Sequence, residues 1–239
     1  MKFKPGWKMT LFVLVMLPIL ISLGSWQISR AAEKRVLIEA FMDKVGGLAL
    51  DASSLQPGDT FDDFQRVRMV GQFKDEIFLL DNQVYKGDVG YWVLQVFETT
   101  QDQRFIANRG FIPAPKMREK LPQIPPVVQN SAGAVTATGV VWPFTGLIPL
   151  WADETWSNSG TSIEPVRVQR LDMAKMAASV NAYDKEIRLE DGQPGILQAA
   201  PMNNTFDEAK HLGYAATWFG LAITLFIGFV VVGIRGGRE

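Results

Sequence analysis

The run Gly213-Tyr-Ala-Ala-Thr-Trp-Phe-Gly-Leu-Ala-Ile-Thr-Leu-Phe-Ile-Gly-Phe-Val-Val-Val-Gly-Ile234 carries no charge along its length. It satisfies what ~30 Å of hydrocarbon asks of a helix, roughly 20 consecutive apolar residues. A second run, residues 9–28, is apolar except for Thr10, Ser22, Ser25 and Gln27. Two such segments at opposite ends of a 239-residue chain set the architecture: two membrane helices with a folded domain between them.

The first run has a rival reading. Lys2, Lys4 and Lys8 form a basic leader and Ala31-Ala32 are small, as around a cleaved signal peptide. The apolar stretch, however, exceeds the usual leader core of about 7–15 residues, and no A-x-A site follows it. A retained helix is expected, kinked at Pro18, which membrane neighbours tolerate. The expected organisation is a cytoplasmic tail over 1–8, transmembrane helices over 9–28 and 211–234, an extracytoplasmic domain over 29–210, and a cytoplasmic tail over 235–239. Basic residues flank the inner ends of the spans as well as the outer ones, so charge alone nearly ties. Loop length decides, because a connection far longer than ~60 residues translocates largely regardless of charge. The N-in/C-in topology follows.

About 180 residues between the spans can bury a real core. Over residues 9–234 there are 19 basic and 24 acidic side chains, a balance that argues against nucleic acid, whose phosphates need Lys and Arg. The absence of cysteine excludes thiolate metal and redox chemistry. Short alternating runs read as strands at 64–70, broken by Gly71, then at 76–80, 134–142, 165–171 and 186–189. Residues 90–97 and 104–112 flank a polar turn as a hairpin. Five prolines fill 113–133 with a non-strand excursion, and Asp172 can cap a short helix through about Val180. The fold class is therefore α+β: a small barrel or curled sheet with one or two short helices, held between two spans.

Enzyme signatures are missing. There is no phosphate loop, H-E-x-x-H, G-x-S-x-G or C-x-x-C, and one histidine cannot build a soluble imidazole triad. Asp62-Asp63 and Asp153-Glu154 read as solvated loop pairs. Met173 and Met176 could share a helix face as a soft copper site, but core packing explains them better. The protein is expected not to be an enzyme.

The membrane ends are richer. Ala216, Gly220, Thr224 and Gly228 recur every four residues as a small-residue stripe, which lets helix backbones approach. The expected partner is the first helix, at Gly24, or a helix of another protein. His211, Tyr214 and Trp218 share a helix face, as do Trp26, Arg30 and Lys34. Antiparallel spans would bring an imidazole, aromatic walls and cations to one headgroup level. Two readings stand: a cradle for a flat, anionic-tailed cofactor such as haem, or an aromatic belt with snorkelling cations.

Three blocks carry a resemblance. Leu23-Gly-Ser-Trp-Gln-Ile-Ser-Arg30 with Lys34, Ala107-Asn-Arg-Gly-Phe-Ile-Pro113, and His211-Leu-Gly-Tyr-Ala-Ala-Thr-Trp-Phe-Gly-Leu-Ala222 are similar, in order, to those of the surfeit locus protein 1 family, membrane assembly factors for haem–copper cytochrome c oxidase. Gly71 and Gly90 lie at the matching places. Ala107 and Phe111 depart mildly from the commoner Val and Trp, and residues 143–200 match poorly. The resemblance implies haem a held through His211, and the cradle reading sets Tyr214, Trp218, Trp26, Gln27, Arg30 and Lys34 around it. It implies as partners the oxidase large subunit and other assembly factors. With only eight residues before the first span there is no room for a mitochondrial presequence, so the expected location is a bacterial inner membrane with the domain in the periplasm. Asn108, Arg109 and Gly110 are expected either to contact a partner or to form a hairpin bulge. A haem-free scaffold for an oxidase intermediate is the alternative function.

Overall fold

Pro18 sits inside an unbroken helix. In the computed structural model α1 spans Trp7–Val45, running past residue 28 through a charged extension that includes Arg30, Glu33, Lys34 and Arg35. At 1.5 Å per residue it measures about 58 Å, nearly twice a hydrocarbon core. The structure describes residues 3–55, 59–117, 120–128, 133–143, 164–200 and 208–236. The chain divides into two units, Met1–Ala40 with Met202–Glu239, and Phe41–Pro201.

The first unit is an antiparallel helix pair. The other helix spans Glu208–Arg235, and both are long and apolar enough to cross a bilayer. Small residues take part in their contact: Ala31, Ala215 and Ala222 are buried, as are Val13 and Leu20, and a Cβ on Gly24 would lie 2.7 Å from the Phe219 ring. At the other end Phe3 covers Gly233 and meets Phe229 edge-on at 5.5 Å, while the Lys4 N–H donates to the Gly233 carbonyl at 2.9 Å. Leu11, Phe12, Leu14, Leu221, Ile223, Phe226 and Ile227 point outward. So continuous an apolar surface suits lipid rather than water.

The small-residue stripe is not the seam of this pair. Ala216, Gly220 and Thr224 are exposed, and a Cβ on Gly220 or Gly228 would meet nothing within 4 Å. The first helix packs instead on Ala215, Phe219 and Ala222, the i, i+4, i+7 face beside it. A phenyl ring lying over Gly24 fills the space that stripe-to-stripe contact would have left.

The second unit is built on β2 (Arg66–Tyr85), β3 (Asp88–Thr99), β4 (Arg104–Pro113), β5 (Val135–Trp142) and a late strand over Glu186–Leu189. Pairing runs β2–β3–β4, on to the late strand, to β5 and back to β2, so the ring closes. β1 (Leu50–Asp51) and β6 (Val166–Val168) add to β2 in parallel, which makes the late strand β7. Inside lie Val67, Met69, Phe73, Phe97, Phe105, Ala107, Ala137, Val141 and Ile187. Alternate residues Phe78, Leu94 and Ile106 face the other side, where α2 (Met173–Val180) covers them with Met173, Met176 and Ala177. The methionines are therefore core packing. The Asp172 carboxylate caps α2, accepting from the Lys175 N–H at 3.0 Å.

Gly71 does not end a strand. β2 is one 20-residue strand, and Gly71 is where its pairing passes from β5 (residues 66–71) to β3 (residues 71–85). A Cβ there would lie 2.0 Å from the Glu98 carbonyl oxygen, so glycine permits a close crossing rather than a break. The run expected to stop at residue 80 continues as well: Asp81-Asn82 mark a register shift inside β2, with Asn82 left-handed at φ 56°. Asp62 and Asp63 are exposed, paired with Lys44 and Lys185. Asp153-Glu154 lie outside the described residues.

Candidate functional site

Two polar side chains meet where the helix pair leaves its apolar stretch. The His211 ring, half-buried at the start of the second helix, α3, places Nδ1 2.8 Å from the Gln27 side-chain oxygen on α1. Three residues inward Gly24 takes the Phe219 ring. Two turns outward Arg35 grips Glu208, its Nε donating at 3.0 Å and its terminal nitrogen bonding the same oxygen. Ring packing on one side and an ion pair on the other fix the helix register, and in that register Gln27 faces His211.

The remaining expected residues lie around this contact without closing over it. Trp26 is 51% exposed, with the Arg30 guanidinium over its ring at 5.7 Å. Arg30 also donates to Glu33 at 2.7 Å across one turn. Lys34 and Trp218 are half-buried, and Tyr214 is exposed. The structure thus joins His211 to α1 through Gln27, while Trp26, Arg30 and Tyr214 stand open to the surroundings. An imidazole, three aromatic rings and two cations occupy neighbouring turns of two helices. Such a set can present a nitrogen ligand beside flat apolar surface, with cationic groups for carboxylates. Among the described residues no group of three or more His, Cys, Asp or Glu is arranged to hold a metal ion.

Sequence reasoning missed the specific pairings. Gln27 is a polar side chain inside an apolar run, which by default needs a partner, and that was the available signal. The Arg35–Glu208 pair joins residues 173 apart and has no local signature.

The Asn108-Arg109-Gly110 block proves internal. Val93 pairs with Gly110 and Leu94 with Asn108, so Arg109 is the extra residue of a β-bulge, and Gly110 takes φ 104° beside it. Arg109 is 2% exposed. Its guanidinium donates to the Gly195 carbonyl at 2.6 Å, the Gln95 side-chain oxygen at 2.5 Å and the Pro125 carbonyl at 2.8 Å, and lies over the Phe73 ring. Burial pushes its pKa down to about 10, still charged at neutral pH. Asn108 donates to Glu186 at 2.6 Å and accepts from the Gly110 N–H at 2.8 Å. All three are enclosed by their own chain, with Arg109 and Gly110 in the hairpin bulge: the bulge aims Arg109 inward, where it ties the proline-rich segment and the 195–198 segment to the hairpin.

Known proteins match this chain over most of its length. The model of the SURF1 family matches residues 14–223. A SURF1-like protein of Rickettsia felis is 27% identical over 229 residues, covering 94% of this chain and 96% of that protein. One of Rickettsia conorii is 26% identical over 232 residues, covering 94% and 90%. One of Dictyostelium discoideum is 25% identical over 242 residues, covering 87% and 90%.

Proposed function

The chain belongs to the SURF1 family, in general cytochrome oxidase assembly factors rather than enzymes, and from that premise we propose that it holds haem a transiently and hands it to the oxidase large subunit. The observation that carries this reading is the half-buried His211, held on α1 by Gln27 at the mouth of the helix pair. When bound, haem would bring an iron that accepts a nitrogen ligand and propionates that accept cationic donors. His211 supplies the nitrogen. Trp26, Tyr214 and Trp218 supply flat apolar surface, and Arg30 and Lys34 supply the cations. Because the rings stand open, the site suits release: one protein ligand and a partly solvated wall bind less firmly than a closed pocket with two ligands. In the same reading the protein sits in the bacterial inner membrane, N-in/C-in, with the β domain in the periplasm, and works beside other assembly factors.

In a host lacking its own copy, the wild-type protein should restore haem a in purified oxidase, and His211→Ala should not. Full restoration by His211→Ala would remove the donor role.

One observation favours a second reading, a haem-free scaffold. Ala216, Gly220 and Thr224 form an exposed small-residue strip on α3 with open space at Gly220 and Gly228, a surface on which another membrane helix could lie closely. Capture of the large subunit that survives both haem depletion and His211→Ala would favour the scaffold.

A further inference from the structure

An amide oxygen can only accept a hydrogen bond. A neutral imidazole carries its proton on one ring nitrogen and a lone pair on the other. The 2.8 Å contact between His211 Nδ1 and the Gln27 side-chain oxygen is a hydrogen bond when the proton is on Nδ1, which leaves the lone pair on Nε2. We propose that Gln27 is a positioning residue: it fixes the Nδ1–H tautomer and the ring orientation of His211, making Nε2 the coordinating nitrogen. This deepens the donor reading and rests on it for its functional meaning, but the tautomer itself does not depend on any bound group.

Three features support the assignment. The contact is set by the register of the helix pair, which Gly24 under Phe219 and Arg35 with Glu208 hold on either side of it. Gln27 is the last polar residue of the apolar run 9–28, where an amide without a partner is costly. Its neighbour Trp26 turns outward and is half exposed, whereas Gln27 turns to α3. Gln27 is thus placed to act on the imidazole from behind rather than to line the surface a cofactor would touch. Outer hydrogen-bond partners of this kind fix the tautomer of a ligating histidine and raise its basicity, and their loss commonly weakens metal affinity by about 10–100-fold.

His211 is the one histidine in the chain, so histidine-selective 15N labelling reports on it alone. The full-length protein in detergent, prepared without haem, should show a protonated Nδ1 and a pyridine-type Nε2. Gln27→Met, similar in length and unable to accept strongly, should release the ring to the Nε2–H form that an unconstrained imidazole prefers in water. Gln27→Glu, an acceptor only, should keep the proton on Nδ1. In haem titrations Gln27→Met should weaken binding by about 10–100-fold and Gln27→Glu by much less. An Nε2–H tautomer in the wild type would overturn the proposal, because Gln27 would then be presenting its NH2 group. So would a tautomer that ignores Gln27→Met, or haem affinity that does not follow the tautomer. If haem bound equally well to His211→Ala while the wild type kept its Nδ1–H signature, the donor reading would fall and the tautomer assignment would stand.

Discussion

Arg109 is a cation sealed inside the β unit with neutral acceptors around it. Desolvating a guanidinium is expensive, and the compensation here comes from three directed hydrogen bonds and an aromatic face. Removing the side chain would leave two carbonyls and an amide without partners in a dry site. Arg109→Ala should therefore destabilise the fold by about 1–3 kcal/mol, the cost of leaving buried polar groups unsatisfied. Arg109→Lys should recover only part of that, because a single ammonium cannot reach three divergent acceptors. Denaturant unfolding of the detergent-solubilised protein measures both, and a loss below about 1 kcal/mol for Arg109→Ala would contradict the latch. The sequence allowed the bulge to be read from Arg109-Gly110, but not the burial. Two of the acceptors, at Pro125 and Gly195, come from irregular segments whose approach has no local pattern.

Among elements, the hairpin β3–β4, the helix α2 with its Asp172 cap, and the two apolar helices follow from periodicity and local signals. β2 does not. Gly71 looks like a stop when read along the chain, and becomes a crossing point only when Glu98 on the neighbouring strand is present. Ring closure through β7 is equally hidden, since it depends on β4 and β5 accepting a four-residue strand from far along the chain. On α3 the recurring small residues were visible, but their role was not: the face used against α1 is the one carrying Phe219. This separates two glycines by experiment. Gly24→Leu would drive its side chain into the Phe219 ring, so it should loosen the helix pair and weaken the Gln27–His211 contact. Gly220→Leu points into open space and should leave both intact. Cysteine crosslinking between the helices, through engineered pairs in the otherwise cysteine-free chain, reads the difference; equal loss of crosslinking in both variants would contradict the packing. If the scaffold reading holds, Gly220→Leu should leave the helix pair intact and reduce capture of the oxidase subunit, because bulk there blocks close approach of a second helix.

For the whole molecule, the residues proposed to handle haem lie at one end of the helix pair, where Gln27 meets His211. On the proposed reading the helix pair would supply the ligand and the flat surface, while the buried Arg109 of the β unit bonds within its own fold. Oxidase assembly as a general role comes with the family, and haem handling is the specific claim. The most direct test is a pyridine haemochrome spectrum of the purified full-length protein, wild type beside His211→Ala, from cells making haem a. Haem a should be present in near-stoichiometric amount in the wild type and lost in the variant, with helicity unchanged. Equal haem in both, or none in either while oxidase subunits are still captured, would contradict that claim.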